Sequence, residues 1–526
     1  MSSFIAEPCD ESVIRSAPTA APCSKRAGRW VLVATTLASS MAFIDSTVVN
    51  VALPALQENL NASILGVQWV IETYSLLLAA LLLVGGSLGD HYGRRRIFLL
   101  GVGIFALASA WCGCAFDIRQ LIIARAVQGF GAALLVPGSL AIISSSFAES
   151  ERGRAIGTWS GFSAITTAIG PVLGGWLIEH LSWRAVFFIN IPIALLVILI
   201  SVKFVPESSY KESAGLDWLG AIIGTVGLGA LVYGLIESSR RGLGDRLTIV
   251  VIVAGILILF VFLFVETRLS QPMLPLALFR SPTFAGTNLL TFLLYAALGG
   301  TLFFLPLNLI QIQHYAPTSA GAALLPFILI MSLLSRWSGG LVTVYGPRLP
   351  LIVGPMIVAA GYALFILPGI GGSYWRTFFP PAVVLGLGMA FTVAPLTTTV
   401  MNSVPQHRAG VASGVNNAVA RTAGLLAIAV LGIVMLQVFK HVLDRRLVES
   451  KLPTSVIQSV ETQSTKLAAI SIPQNLDLPT KQLIRQVIDE SFVAGFRSVM
   501  AIGAALAGAS SIVTLTLIRS AKRNDQ

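Results

Sequence analysis

Apolar runs of about 20 residues recur along nearly the whole chain, separated by short polar segments. A helix of about 20 apolar residues crosses the roughly 30 Å hydrocarbon core of a bilayer and satisfies its own backbone hydrogen bonds. The alternating pattern of a membrane β-barrel is absent. Only 11% of the 526 residues are charged, against about 25% in soluble domains, and the mean hydropathy is +0.81. The sequence therefore predicts an all-α polytopic membrane protein.

The apolar runs predict fourteen membrane-spanning helices. The N-terminal segment 1–29 lacks the apolar core of a cleavable signal peptide, so the first span is expected to direct insertion. The polar segment 440–491 is expected to lie outside the membrane, between the last two spans. The predicted cores of the spans are residues 30–53, 68–88, 97–116, 121–147, 155–178, 183–205, 216–236, 247–265, 284–309, 320–344, 349–367, 378–400, 411–439 and 492–518.

The charges of the loops predict the orientation. With the N-terminus in the cytosol, the loops on that side carry about three times as many lysine and arginine residues as the short outside loops, in agreement with the positive-inside rule. Both termini are therefore expected in the cytosol, with the protein in the inner (plasma) membrane. The net charge of +11 is explained by this topology and by contact with anionic lipid, and it indicates no nucleic-acid partner.

The two halves of the chain are weakly related. Residues 92–95 (Tyr-Gly-Arg-Arg) resemble residues 345–348 (Tyr-Gly-Pro-Arg), and residues 152–154 resemble residues 408–410 at nearly the same spacing. Paired helical bundles around a midplane cavity are typical of alternating-access transporters. The expected organisation is a cytosolic tail (1–29), a first six-helix bundle (30–205), two inserted helices with a linker (206–282), a second six-helix bundle (283–518) with a long extracytosolic loop (440–491), and a cytosolic tail (519–526).

A short charged segment separates the second and third predicted spans. Residues 86–96 read Gly-Ser-Leu-Gly-Asp-His-Tyr-Gly-Arg-Arg-Arg, and glycines there permit a tight turn between antiparallel helices. Charges at the membrane edge can clamp such a loop to its surroundings and release it again. The sequence therefore predicts a cytosolic gate formed by Gly86, Asp90, Gly93, Arg94 and Arg95.

Two carboxylates lie within the first two predicted spans. Asp45 is about fifteen residues into the first span, and an intramembrane carboxylate is a functional hypothesis by default because it is costly to bury. We interpret it as a proton-coupling group, with Asn50 as a nearby polar neighbour, and a structural hydrogen-bond acceptor is the alternative. Glu72 lies only one turn into the second span beside Trp69 and Tyr74, so an interfacial glutamate and a coupling site are both open.

Arg125 lies four residues into the fourth predicted span, followed by Gln128. An arginine at this depth must pair with an acid or reach water. It is therefore expected to face Asp45 or Glu72 and modulate proton transfer, or else to extend to the outer surface. Arg336 and Arg421 in later spans carry the same ambiguity.

The fifth predicted span contains Gly170, Pro171, Gly174 and Gly175. Small residues four apart let helices approach closely, and proline bends a helix by removing a backbone hydrogen bond. We interpret this pattern as a site of close helix packing with a functional role, and generic helix packing without such a role is the alternative.

No aspartate or glutamate occurs between Glu266 and Asp444. Any acidic proton site must therefore come from the first half, and a dicationic substrate would lack acidic partners in the second. Such a cavity suits a lipophilic compound that is neutral or weakly charged. The residues expected to line it are Asn50, Gln128, Asn308, Gln311, Asn416 and Asn417.

Other function classes are disfavoured by what the sequence lacks. The four cysteines show no zinc-ligand spacing. There is no GxxxxGK[ST] sequence for ATP binding, and the polar segments hold no catalytic cluster. We therefore expect no enzyme activity, no cofactor and no metal, and a membrane-bound sensor or enzyme is the least favoured class.

Together these motifs resemble the major facilitator superfamily, specifically its fourteen-span drug:proton antiporters of the EmrB/QacA type. The resemblance covers nearly the whole chain. It is carried by residues 43–54 of the first span, 86–95 of the charged loop, 121–131 of the fourth span, 170–175 of the fifth, 183–192, 216–220 and 408–414.

This resemblance implies a proton-coupled antiporter that exports lipophilic small molecules, with Arg125 in a span that the family uses for proton transfer. The second copy of the charged loop has Thr343 where Asp90 stands in the first, so only one gate is strongly charged. Arg336 stands in the tenth span, where exporters of organic cations carry an acid, which argues against a cationic substrate. A proton-coupled symporter for uptake of a small solute is the alternative, and a periplasmic adaptor is left open.

Overall fold

The computed structural model describes residues 25–147, 149–208, 217–242, 244–269, 272, 274–404, 409–450 and 452–518. Residues 1–24 of the predicted N-terminal tail (1–29) and the predicted C-terminal tail (519–526) lie outside the described residues. The same is true of residues 209–216 and of the side chains of Asp90 and Arg336.

Fourteen long helices make up the described chain, which contains no strand in those residues. Thirteen stretches of the described chain are long and apolar enough to cross a membrane, and two of them, Ala185–Phe204 and Pro317–Leu334, include a short helix before the long one. The long helix Glu149–His180, with 32 residues, has the length of a further span. The predicted all-α membrane fold is confirmed, and these helices fit the predicted fourteen spans. The helices are α1 (Lys25–Asn59), α2 (Ile64–Tyr92), α3 (Arg94–Cys114), α4 (Ile118–Ser146), α5 (Glu149–His180), α6 (Asn190–Phe204), α7 (Trp218–Arg241), α8 (Arg246–Arg268), α9 (Pro282–Leu307), α10 (Leu325–Tyr345), α11 (Arg348–Phe365), α12 (Phe379–Asn402), α13 (Ala409–Glu449) and α14 (Leu478–Leu517).

Shorter helical segments lie between the long helices. They are Ala185–Phe188, Leu276–Arg280, Asn308–Ile312, Pro317–Ala322, Tyr374–Thr377, Thr454–Glu461 and Ser464–Ala469.

Two glycines at corresponding places of the weak repeat end a helix in the same way. Gly93 separates α2 from α3 with φ of 112°, and Gly346 separates α10 from α11 with φ of 73°. These values are in the left-handed region, which residues with a Cβ rarely adopt. The predicted loop at residues 86–96 is therefore wrong in extent, because α2 continues to Tyr92 and Gly93 is the break.

The chain forms two compact units. The first contains the described part of residues up to Val49, together with Trp69–Thr225 and Phe264–Met273. Its core is built from side chains of α1, α3 and α4 such as Val31, Phe105 and Leu135, all fully buried. Small residues bring α3 and α4 together, since a Cβ on Gly131 would lie 2.7 Å from the backbone nitrogen of Phe105.

The second unit contains residues Asn50–Gln68, Val226–Leu263 and Leu274–Gln526. Helices α11 and α12 pack closely in it, because a Cβ on Gly361 would lie 2.9 Å from the backbone nitrogen of Leu385. Helices α13 and α14 have 41 and 40 residues, which is about 60 Å at 1.5 Å per residue. They are longer than the bilayer core requires.

The segment predicted as a polar loop at 440–491 is largely helical. Helix α13 continues to Glu449 and α14 begins at Leu478, whereas the last predicted span begins at residue 492. Buried Val460, Ile484 and Ile488 supply an apolar core for this segment. Burial of these side chains explains why a stretch of polar average composition is ordered.

Candidate functional site

A buried ion pair lies at the centre of the first unit. Asp45 of α1 and Arg125 of α4 approach to 2.5 Å between Oδ2 and Nη1, and their side chains are 0% and 1% exposed. The arginine does not extend to the outer surface, so that alternative is wrong. Of the two acids considered for it, Asp45 is the one that it contacts.

Amide and hydroxyl groups from three helices surround the carboxylate. Gln128 Nε2 donates to Asp45 Oδ1 at 2.8 Å, and Asn190 Nδ2 donates to the same oxygen at 3.3 Å. Both amides also donate to Ser109 Oγ, at 3.1 and 2.8 Å. The two amides that bind the carboxylate belong to α4 and α6, and the hydroxyl that accepts from both amides belongs to α3.

The guanidinium of Arg125 is held by further contacts. Its Nε donates to the carbonyl of Val70 at 3.0 Å, and Nη1 also donates to Gln128 Oε1 at 2.7 Å. The ring of Tyr74 lies 4.2 Å from the guanidinium carbon, a cation–π contact. Arg125 therefore has favourable contacts besides the one with Asp45.

Glu72 of α2 is a second buried acid of the first unit. It is fully buried, so the interfacial alternative is wrong. Both of its carboxylate oxygens lack a hydrogen-bond partner. A buried carboxylate without a partner is costly, so Glu72 is an unsatisfied polar group of the first unit.

The small residues of α5 lie against α1 close to Asp45. A Cβ on Gly174 would lie 2.8 Å from Val48 Cγ1 and 3.2 Å from Val48 Cα. A Cβ on Gly170 would collide with Thr47. Pro171 and Gly175, between and beside them, are buried. The glycines thus set the separation of α5 and α1 at the level of the ion pair.

The charged segment between α2 and α3 is held by an acid that the sequence argument missed. Glu207, which follows α6, accepts from the backbone N–H of Arg95 at 3.1 Å. Its Oε2 lies 3.9 Å from Arg95 Nε and 3.6 Å from Arg96 Nε. The backbone N–H of Arg94 donates to the carbonyl of Ser208 at 2.9 Å. Gly86 lies inside α2 and takes no part in these contacts.

The remaining predicted polar residues belong to the second unit. In the second unit, Asn416 Nδ2 donates to Asn288 Oδ1 and Thr291 Oγ1, at 3.1 and 2.7 Å. Asn308 is buried and accepts from Gln313 at 3.3 Å. Asn417 is exposed, whereas Asn50 and Arg421 are partly buried. Gln311 lines a separate cavity described below.

Sequence reasoning did not select Asn190, Ser109 or Glu207 as site residues. Their residue types are common, and only the fold brings them to a charged group. One signal was available for Asn190, since a primary amide inside an apolar helix needs a buried partner. Within the residues that the structure describes, no group of three or more His, Cys, Asp or Glu side chains is arranged to hold a metal ion.

This arrangement is suited to exchanging a proton. A carboxylate and a guanidinium in direct contact, both buried, form an ion pair, and protonation of the carboxyl would cancel the attraction. Side chains of α4 and α6 bind the carboxylate of α1, and Ser109 of α3 accepts from both amides, so one network joins four helices.

Comparisons with known proteins identify the family of this chain. A family model described as the Major Facilitator Superfamily matches residues 35–428. The chain is 32% identical over 505 residues to the tetracenomycin C resistance and export protein of Streptomyces glaucescens, covering 94% of this chain and 93% of that protein. It is 37% identical over 411 residues to the puromycin resistance protein of Streptomyces alboniger, covering 77% and 81% of the two chains.

Solved structures resemble the fold at low sequence identity. A bacterial homologue of the human lysosomal transporter Spinster, inward-facing and occupied, aligns with a TM-score of 0.66 and 17% identity, covering 95% of this chain and 98% of that one. At this identity the likeness concerns the fold alone.

Proposed function

This chain belongs to the major facilitator superfamily and is a membrane transporter rather than an enzyme, and from that premise we propose that it is a proton-coupled antiporter exporting lipophilic small molecules. The relatives named for resistance to, or export of, tetracenomycin C and puromycin support export as the direction of transport. The buried contact between Asp45 and Arg125 is the observation on which the proton coupling rests.

Coupling requires that Asp45 changes partner during the cycle. In the ion-paired state the carboxylate binds Arg125, Gln128 and Asn190. A proton arriving from outside neutralises Asp45 and cancels the attraction to the guanidinium, which retains the Val70 carbonyl and the Tyr74 ring. Helices α1 and α4 are then tied less strongly, and release of the proton to the cytosol restores the pair. Glu72 is proposed as a second proton-carrying group.

The cytosolic gate is proposed at the junction of α2 and α3. Gly93 provides the turn, and Arg94 and Arg95 bind the segment after α6 through Ser208 and Glu207. Asp90 is retained as a gate residue on the sequence argument. These contacts are short-range and partly exposed, which suits a contact that must break and re-form.

The substrate is proposed to be neutral or weakly charged. The absence of aspartate and glutamate between Glu266 and Asp444 removes acidic partners for a cation from the helices α9 to α12. Asn308, Asn416 and Asn417 are proposed to contribute polar contacts to it. Placement in the inner membrane with both termini cytosolic follows from the distribution of lysine and arginine.

Transport measured in proteoliposomes tests the proposal. A pH gradient, acidic outside, is expected to drive efflux of a lipophilic probe such as tetracenomycin C or puromycin from loaded vesicles. Asp45→Asn should abolish this dependence on the gradient, whereas Asp444→Asn, at an exposed position of α13, should behave like the wild type. If Asp45→Asn exports as well as wild type from pH 6 to 8, the coupling assignment is wrong. Proton and solute moving in the same direction would establish a symporter instead.

A further inference from the structure

A cavity of about 400 Å³ lies in the second unit where α1 ends. It is enclosed by the last residues of α1, the segment after α9, residues 464–471 between α13 and α14, and one side chain of α14. We call residues 464–471 the strap. By the orientation proposed above, this is the extracytosolic end.

Polar contacts cross this cavity. They join the strap to α1 and to the residues just after it, and they join α1 to the segment after α9. Lys466 Nζ donates to Asn61 Oδ1 at 2.7 Å, and Gln57 Nε2 donates to the carbonyl of Lys466 at 3.3 Å. Gln311 Nε2 donates to Gln57 Oε1 at 2.9 Å. Each bond joins residues that are more than 250 positions apart in the chain, so none is a feature of local helix geometry.

Arg485 of α14 contacts both the strap and the segment after α9. Its Nη1 donates to the carbonyl of Ala468 at 3.1 Å and its Nη2 to the carbonyl of Gln311 at 2.7 Å, while Nε pairs with Asp489 at 3.1 Å. The arginine therefore holds the strap and the segment after α9 in a fixed relation.

Backbone strain is concentrated around the same cavity. Within the described residues, Asn61, His314 and Leu467 are the non-glycine residues with positive φ, at 47°, 56° and 52°. Asn61 and His314 line the cavity, and Leu467 stands between two strap residues that do. Unfavourable backbone conformations persist where surrounding contacts hold them, and they cluster at switches and clamps. The contacts across the cavity are such a restraint.

We propose that the strap, Asn61, Gln57 and Gln311 form an extracytosolic latch, in which the bonds Lys466–Asn61 and Gln57–Gln311 must break in every transport cycle. The inference rests on the proposed function. By sequence, α1 belongs to the first half of the repeat, whereas α9 and the strap belong to the second. Alternating access moves one half against the other, so bonds that join the halves at one end must open with it. Asn61 is exposed and Lys466 is partly buried, so solvent can compete for the bond between them when the latch opens.

A reversible cross-link tests the latch. In a background whose cysteines are replaced by serine, Asn61→Cys with Lys466→Cys would be joined by a short bis-methanethiosulfonate linker and released with a reductant. Gln463→Cys with Ser471→Cys is the matched control. The Gln463 side chain, directly before the strap, bonds the backbone of Ser471 at the end of the strap, so this pair does not involve α1. The linker is expected to lower gradient-driven efflux at least tenfold in the first pair, reversibly, and to leave the control pair unaffected.

Efflux that continues in the linked first pair would overturn the latch, as would failure of that pair to be linked when the control is. If the serine-replaced parent, which carries neither cysteine pair, shows no gradient-driven efflux while folding normally, the proposed function fails and not the latch. A second readout does not need transport. The rate at which a membrane-impermeant thiol reagent labels Gln311→Cys is measured with three residues at position 466. Lys466→Met should raise this rate about two- to tenfold, the effect of one lost hydrogen bond. Lys466→Arg should return the rate to that of the protein with Lys466. Equal rates in all three would contradict the latch.

Discussion

Arg125 and Asp45 are 80 positions apart in the chain, yet they form a 2.5 Å ion pair from which water is excluded on both sides. Each charge is buried only because the other is present. Removing one partner from such a pair costs about 3–5 kcal/mol, because an uncompensated charge is left behind. Removing both avoids that cost. Stability measurements on the single and double variants can therefore distinguish the interaction energy of the pair from the contribution of each residue alone.

The first prediction concerns the mutual dependence of the buried charges of Asp45 and Arg125. Asp45→Asn and Arg125→Met should each lower the free energy of unfolding in detergent, Arg125→Met by about 3–5 kcal/mol because it leaves Asp45 without a cation. The double variant should be destabilised by less than the sum of the two. Thermal unfolding of the three purified variants measures the coupling. Additive losses would show that the two groups do not interact in solution.

The second prediction concerns Asn190. Asn190→Leu preserves the size of the side chain but removes the donors to Asp45 and Ser109. A hydrogen bond to a charged group contributes about 1.5–3 kcal/mol, so gradient-driven efflux should fall about tenfold or more. Asn59→Leu is the control, because that amide bonds only to Ala55 in its own helix. Equal efflux in both variants would remove Asn190 from the site.

The sequence was sufficient to identify the charged members of the site but not their surroundings. Asp45 and Arg125 are conspicuous because charges within apolar spans are rare and costly. Asn190 and Ser109 are ordinary polar residues until the fold places them beside that carboxylate. Glu207 lies just beyond a helix end, where acids are common, so its contact with Arg95 could not be distinguished from a solvated charge.

The fold was predictable because spans are fixed by length and hydropathy, which act locally. Their ends were less predictable. The helix α14 begins at Leu478, well before the last apolar run, because Ile484 and Ile488 are buried by tertiary packing. The extent of α2 was likewise underestimated, since the helix continues through Asp90 to Tyr92 and ends only at Gly93, whose φ is 112°.

The third prediction compares the two glycines of the repeat. Gly93→Ala places a Cβ 2.7 Å from Glu207 Oε1 at a φ of 112°, whereas a Cβ on Gly346 has open space at a φ of 73°. Both substitutions carry the backbone penalty of about 1–3 kcal/mol, but the first also displaces Glu207 from Arg95. Gly93→Ala should therefore lose more thermal stability and more efflux than Gly346→Ala. Equal losses would mean that Glu207 does not hold the junction.

The fourth prediction concerns the contact of α5 with α1. Gly174→Ala places a Cβ 2.8 Å from Val48 Cγ1 and 3.2 Å from its Cα, so the helices must separate three residues from Asp45. Overpacking of this kind costs about 1–3 kcal/mol. Gly103→Ala on α3 meets nothing within 4 Å, and replacing a helical glycine by alanine is favourable by up to about 1 kcal/mol.

The two alanine variants should therefore change thermal stability in opposite directions, and Gly174→Ala alone should reduce efflux. A melting experiment in detergent, paired with efflux from proteoliposomes, distinguishes the outcomes. If Gly174→Ala loses stability but exports at the wild-type rate, α5 supports the fold without setting the position of Asp45. If it loses efflux while keeping stability, the close approach of the two helices serves the transport cycle itself.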